Sequence, residues 1–277
     1  MLALAKARMG LSFPDALRFC GDIAGIHFDE PAAPDIAVSS LIEQSRRNQE
    51  ARRREAARIE AEDLAERIGD GERIWNEARP IAGTLAETHI IEHRRLSLLG
   101  VNDGWCRFHP APTYRKDGQE KRLGPAMVCL IRDVLTSAPC GIRLTILDDK
   151  GLKAFRLVIG RLKMGAVMID DSAEVDTSLA VAEGVETALR LRQAGERPIW
   201  AMCSASNLAG LPVLPSVEAL RIYADADRTD DRGRTPGIDA ARGCALNWQA
   251  QDREVHVFTP PDAGTDWDDV LGSEVAA

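Results

Sequence analysis

Acidic residues follow strand-like apolar segments at three places, the first of which is V-A-E-G-V-E-T-A-L at Val181–Leu189. The second is R-I-Y-A-D-A-D at Arg221–Asp227, and the third is G-T-D-W-D-D-V-L at Gly264–Leu271. Two carboxylates about 4 Å apart repel each other by roughly 4 kcal/mol at an effective dielectric of 20. A divalent cation removes that cost, and Mg²⁺ prefers carboxylate oxygens. The three motifs therefore predict a Mg²⁺ site suited to phosphoryl transfer.

The segments around these motifs alternate between strands and helices from Ser178 onward. The predicted strands are S-L-A-V-A, P-I-W-A-M, A-L-R-I-Y-A and E-V-H-V-F, and the predicted helices are Val185–Gln193 and Gly237–Trp248. Such alternation is typical of a doubly wound, mostly parallel α/β sheet. Functional groups in these sheets lie at the carboxyl ends of the strands. The acids that follow those ends are Glu183, Asp225, Asp227 and Asp266.

The preceding part of the chain has a different pattern. Residues 85–100 are predicted to be helical, and short apolar runs follow at Pro125–Val134, Gly141–Leu147 and Ala154–Gly160, separated by turn residues. This pattern predicts a smaller, hairpin-rich α+β subdomain over residues 80–177. We expect the chain to divide near residues 175–178, with this subdomain packed against one side of the C-terminal sheet.

Helices and a linker are predicted for the N-terminal part. Residues 1–28 form a helical segment in which Ser12 precedes Phe13 as an N-cap. Residues 29–79 comprise a Pro- and Ala-rich linker and a helix over about Ser40–Ile68 that is rich in Arg, Glu and Ala. Two interpretations of this helix stay open, a solvated connector and a helix that contacts nucleic acid.

Charge is distributed unevenly along the chain. The net charge is −8, but residues 81–170 carry 14 basic and 9 acidic side chains, whereas residues 171–277 carry 9 and 19. A basic part that holds phosphates beside an acidic part that holds metal suits a polynucleotide enzyme. The chain shows no run of 18 apolar residues and no signal peptide, and its six cysteines form no C-x-x-C pair. We expect a cytoplasmic protein with no membrane association and no zinc site.

In their order and spacing, the three acidic motifs resemble the Toprim domain. That domain is shared by bacterial-type primases, type IA and II topoisomerases, OLD-family nucleases and recombination-mediator proteins. The resemblance covers about Ser178–Leu271. It implies that Glu183 takes part in metal binding and acid–base chemistry, and that Asp225 and Asp227 bind Mg²⁺ or Mn²⁺. Asp266 and Asp268 match the acids of the family's terminal motif.

Two positions depart from the primase pattern within this domain. Primases usually carry an acid four residues after the Glu, where this chain has Thr187. Glu186 stands one residue earlier and could substitute for that acid, although on a helix it points about 100° away from the expected direction. Primases also usually carry Lys before the terminal acid, where this chain has Thr265.

The upstream part resembles phage- and plasmid-type primases, in which a zinc-finger module, a linker and an α+β subdomain precede Toprim. The stretch L-S-F-P-D-A-L-R-F-C-G-D-I-A-G-I is similar to the helix that closes the zinc module, but the metal-binding cysteines are absent before it. Either the chain begins late or its lineage has lost the finger. In this family, basic residues of the α+β subdomain hold template or nucleotide, which points to Lys153, Arg156, Arg161 and Lys163. An exposed, solvated hairpin face is the alternative.

These observations favour a primase-type nucleotidyltransferase of a mobile element that acts on single-stranded DNA and NTPs, with a separate replicative helicase as a possible partner. A Toprim nuclease and a non-catalytic DNA- or partner-binding protein are the alternatives. A topoisomerase fits less well, because Tyr114 and Tyr223 are the chain's two tyrosines and Tyr223 lies in a predicted core strand.

Overall fold

The computed structural model describes residues 10–25, 36–101, 103–226, 235–262 and 264–274; for residues 36–42, 268, 269, 273 and 274 it describes the backbone alone. The chain forms two compact units, Met1–Ile59 and Glu60–Ala277.

Helices make up the described part of the first unit. Helix α1, Phe13–Ala24, begins where the Ser12 hydroxyl accepts a hydrogen bond from the Asp15 backbone N–H, as the sequence predicts, and ends at Gly25 with φ 71°. Helix α2, Ile36–Glu77, starts in this unit and runs on into the second. It is longer than the predicted Ser40–Ile68. Pairs such as Glu43–Arg47, at 2.6 Å, lie on its exposed surface.

A nine-stranded sheet forms the centre of the second unit, in the order β11-β10-β8-β9-β7-β4-β5-β6, with β1 paired to β4. A separate hairpin consists of β2 and β3. The strands are β1 Cys106–His109, β2 Thr113–Lys116, β3 Gln119–Arg122, β4 Ala126–Asp133, β5 Pro139–Leu147, β6 Lys153–Gly160, β7 Gly165–Met168, β8 Ser178–Ala182, β9 Ile199–Ala201, β10 Ala219–Tyr223 and β11 Glu254–Phe258.

The helices of the second unit pack around this sheet. They are α3 Leu85–Thr88, a π-helical turn His89–His93, a 3₁₀ turn Ser172–Glu174, α4 Val185–Gln193, α5 Ala205–Ala209, α6 Pro236–Gln249 and α7 Trp267–Glu274. Within the described ranges, no helix combines the length and apolarity needed to cross a membrane.

The predicted α/β class is confirmed. Strands β9, β8, β10 and β11 are parallel neighbours, and α4 follows β8 while α6 follows β10. The predicted hairpin strands are also present as β4, β5 and β6, which pair in antiparallel fashion.

One sheet, however, contains both halves of the unit. Strand β7 pairs with β4 through Arg132 and Ala166, and with β9 through Val167 and Ala201. The expectation that the α+β part packs against one side of a separate C-terminal sheet is therefore wrong. The short run G-A-V-M of β7 is buried over its whole length, as fits a strand with a neighbour on each side.

The helix predicted over residues 85–100 is also shorter than expected. Helix α3 and the π-helical turn end at His93, and the chain then turns at Arg95, which has φ 53°. Both histidines of the turn are used to hold the β5–β6 connection. His89 Nδ1 lies 3.0 Å from the Gly151 carbonyl, and His93 Nε2 lies 2.7 Å from the Lys150 carbonyl.

A buried ion pair anchors the junction between β7 and the parallel half. Asp170 is fully buried, its Oδ1 accepts a hydrogen bond of 2.7 Å from Arg192 Nε, and its Oδ2 accepts one of 3.0 Å from the Ile199 backbone N–H. Arg192 also donates to the Gly100 carbonyl at 2.6 Å. The pair ties the end of β7 to α4 and to the start of β9.

Replacing Asp170 with Ala should lower the free energy of unfolding by about 3–5 kcal/mol, because it leaves the Arg192 charge buried without its carboxylate. Urea-induced unfolding measures this loss. The control is Arg67→Ala, which removes an exposed pair with Asp63 and should cost no more than about 1 kcal/mol. Equal small losses in both variants would show that the buried pair does not hold the junction.

Candidate active site

The acids that follow two neighbouring parallel strands leave the sheet at the same place, the carboxyl ends of those strands. Strands β8 and β10 pair in register, with Ala182 opposite Tyr223, so both chains leave the sheet side by side. Glu183 follows β8 directly, and Asp225 follows β10 after one residue. A bridge between Ala226 and Thr265 brings the third motif to this edge as well.

Glu183, Asp225 and Asp266 line one cavity of about 210 Å³. Asp227 lies outside the described residues, and so does the side chain of Asp268. Among the groups that the structure does describe, no three His, Cys, Asp or Glu side chains are placed to hold one metal ion together. The donor set of the cavity is nevertheless made of carboxylate oxygens, which are the ligands that Mg²⁺ prefers. The metal site stays a prediction.

Four cationic side chains line the same cavity. They come from the antiparallel half of the sheet and the turn before it, and they are Arg94, Arg143, Lys153 and Arg156. Arg143 is 7% exposed, and its Nη1 donates a hydrogen bond of 3.0 Å to the Cys203 carbonyl. We call these four residues the cation wall.

Crowding of like charges is visible at Lys153. Burial lowers the pKa of its amine from the ordinary value, and the neighbouring charges of Arg156 and Arg94 lower it further. Cations that repel one another in a cleft form a ready place for an anion, because a bound anion relieves the repulsion. The cavity can therefore accept a phosphate group at its cations, and the acids of the three motifs line the same space.

Glu186 lies on the cationic side of the cavity. Its carboxylate is hydrogen-bonded to Arg156, and its Oε1 lies 3.8 Å from Arg94 Nη2. Burial alone would raise the pKa of this carboxyl, but the facing His89 ring and the charges of Arg156 and Arg143 hold it below the ordinary value. The Glu186 carboxylate thus contacts arginines, and its direction relative to a bound metal ion stays a prediction. Thr187 lines the same cavity.

The four basic residues predicted for β6 and its end are separated by the structure. Lys153 and Arg156 line the cavity, whereas Arg161 and Lys163 follow the far end of the strand. Arg161 comes five residues after Arg156, which is roughly 17 Å along the strand at 3.3 Å per residue. Arg161 donates 2.6 Å and 2.7 Å hydrogen bonds to the Asp133 carboxylate and the Lys163 carbonyl. Burial of Asp133 opposes ionisation, but Arg161 and nearby N–H groups lower its pKa to about 2.

The polar turn after β9 has a structural role. Ser204 accepts a hydrogen bond from the Asn207 backbone N–H and so caps α5. The Asn207 amide donates to the carbonyls of Gly165 and Met202, at 2.7 Å and 2.8 Å. This turn fastens β7 to the parallel half of the sheet.

Sequence reasoning missed Arg94 and Arg143. Arg143 had a recognisable signal, because it is the single charge in the otherwise apolar strand G-I-R-L-T-I-L. A charge in a buried strand needs a partner or a function. Arg94 carried no such signal, since it follows a helix in an ordinary polar stretch.

Two family models match the chain. One is a domain of unknown function (DUF7146) over residues 65–169, and the other is the Toprim domain over residues 178–277. The C-terminal part of the chain is a Toprim domain. The predicted resemblance is thereby confirmed for this part. No curated protein matches the chain.

Solved primase structures share this fold. The DnaG primase catalytic domain bound to ssDNA has a TM-score of 0.52 at 17% identity, with 77% of this chain and 76% of that chain covered. A DNA primase domain from Pseudomonas aeruginosa has a TM-score of 0.42 at 19% identity, with 58% of this chain covered. This chain spans about half of that structure's length, 52%. The primase fragment of the bacteriophage T7 primase-helicase protein has a TM-score of 0.41 at 16% identity, covering 61% and 63%.

The cation wall makes a prediction for nucleotide binding. Replacing both Lys153 and Arg156 with Ala should weaken ATP binding at least about 100-fold, since hydrogen bonds to charged groups contribute roughly 1.5–3 kcal/mol each. Isothermal titration calorimetry measures the affinity.

The matched control removes two positive charges from the same strand's far end, at Arg161 and Lys163. That double Ala variant should bind ATP with an affinity within about threefold of the unmodified chain. Equal weakening in the two variants would mean that net charge, rather than the cation wall, attracts the nucleotide.

Proposed function

We propose that this chain is a metal-dependent nucleotidyltransferase of primase type, which synthesises primers from NTPs on single-stranded DNA. One observation carries the proposal: a single cleft is lined by the carboxylates of Glu183, Asp225 and Asp266 and by the four side chains of the cation wall. Phosphoryl transfer needs both, because the attacking and leaving oxygens need charge stabilisation while the phosphates need positioning. The shared primase fold supports the proposal.

The acids would hold Mg²⁺ or Mn²⁺. Glu183, Asp225 and Asp266 line the cleft, and Asp227 and Asp268 belong to the same motifs. When bound, such ions lower the pKa of an attacking hydroxyl and stabilise the charge that develops on the phosphate. We propose Glu183, Asp225 and Asp227 as the central catalytic set, with Asp266 and Asp268 as further ligands.

The cation wall would hold the triphosphate of the incoming nucleotide. Arg143 and Arg156 offer planar guanidinium groups that bind phosphate oxygens through paired N–H donors, while Lys153 supplies a point charge. Arg143 is held in place by its bond to the Cys203 carbonyl, so its position costs little reorganisation when substrate binds. These residues bind and orient the phosphates and neutralise their charge.

The two parts of the second unit would divide the work. We propose that residues 80–177 supply the cation wall and approach the DNA template, while residues 178–277 supply the acids. The net charge of +5 over residues 81–170 supports a nucleic-acid contact there. Arg161 and Lys163 remain candidates for template contact outside the cleft. A helicase partner, a mobile-element origin and a cytoplasmic location stay predictions.

Primer synthesis tests this function directly. The full chain is incubated with labelled NTPs, Mg²⁺ or Mn²⁺ and single-stranded DNA, and the products are separated by length. Asp225→Asn should lower the rate of primer synthesis about 100-fold, which corresponds to roughly 2.7 kcal/mol of barrier. Asp252→Asn, an exposed residue with φ 56°, is the matched control, because Asn tolerates the same backbone conformation.

The same reactions reveal the alternatives. Shortened DNA that depends on Asp225 would identify a nuclease in place of a primase. Synthesis at an unchanged rate in Asp225→Asn would contradict the role given to the acids.

A further inference from the structure

A carboxylate occupies the cation wall in the structure. Glu186 lies in the first turn of α4, behind the N-cap Gly184, where the helix N-terminus favours negative charge. It is 5% exposed, and a carboxylate buried to this extent is costly unless cations compensate it.

Three cationic or polar groups surround this carboxylate. It accepts a hydrogen bond from Arg156, and its Oε1 lies 3.8 Å from Arg94 Nη2 and 4.0 Å from His89 Nε2. The side chains of Arg156 and Arg94 are 34% and 32% exposed, so each faces both the carboxylate and the cleft. A phosphate that enters the cleft therefore meets two arginines already engaged with an anion.

Charge decides what this arrangement does to an incoming phosphate. Glu186 offsets part of the repulsion among Arg94, Arg143, Lys153 and Arg156; burial first, and then this repulsion, lowers the pKa of Lys153. The same negative charge repels a phosphate bound in the cleft, and exposure to solvent screens part of that repulsion.

We propose that Glu186 is a built-in competing anion, which holds Arg94 and Arg156 in the empty cleft and weakens the binding of nucleotide phosphates and of pyrophosphate. The identity of the bound anion rests on the proposed function. In this role Glu186 favours release of the pyrophosphate product and holds the two arginines in place between turnovers. It is a positioning residue that touches arginines, not a metal ligand.

Pyrophosphate binding to the full chain tests the proposal without turnover. Calorimetry in metal-free buffer compares the unmodified chain with Glu186→Gln, which keeps the side-chain shape and one hydrogen-bonding oxygen but removes the charge. Affinity should rise about tenfold. Glu254→Gln, which removes an exposed carboxylate on β11, should stay within about threefold. Unchanged or weaker binding to Glu186→Gln overturns the proposal.

A second comparison does not require the Glu186→Gln variant to fold on its own. Arg156→Gln should weaken pyrophosphate binding, and the double variant Arg156→Gln with Glu186→Gln should bind at least about fivefold tighter than Arg156→Gln alone. Equal affinities in these two variants would overturn the competing-anion role, as would a complete lack of pyrophosphate binding in every form. Tighter binding to Glu186→Gln without primer synthesis would support the role of Glu186 while contradicting the primase function.

Discussion

The pairing of β7 with β4 on one side and β9 on the other is the constraint on which the cleft depends. It joins an antiparallel half and a parallel half into one sheet, so that their side chains share an edge. Asp170, Arg192 and Asn207 secure the same junction through hydrogen bonds to both halves. If the halves were separate sheets, only side-chain packing between them would set the distance between the acids and the cations. Within one sheet, the hydrogen-bonded pairing of the strands sets this distance.

Charges of both signs in one cleft are the chemical consequence. The acids leave the ends of β8 and β10, and the cations come from β5, β6 and the turn that ends at Arg94. Like charges repel one another within each group. Glu186 shows how the chain balances its cationic wall internally, with a buried carboxylate among arginines. A substrate that carries both metal and phosphate would balance both walls together.

Much of the parallel half could be predicted from the sequence. The periodicity of the sequence predicted β8, α4, β10 and α6. The rule that functional groups follow the ends of parallel strands predicted that Glu183 and Asp225 lie close together, and both line one cavity. The joining role of β7 could not be predicted, because four buried apolar residues carry no periodicity. The partners of Glu186 were equally hidden. Arg94 and Arg156 reach this side chain from distant parts of the chain, and no local sequence pattern indicates them.

The most direct measurement of the central claim is a crystal structure of the chain with Mn²⁺ and a non-hydrolysable nucleoside triphosphate. The account predicts Mn²⁺ density against Glu183 and Asp225, with the triphosphate oxygens against Arg143, Lys153 and Arg156 in the same cleft. Phosphates bound at another face of the sheet, or a metal ion held away from Glu183 and Asp225, would contradict it.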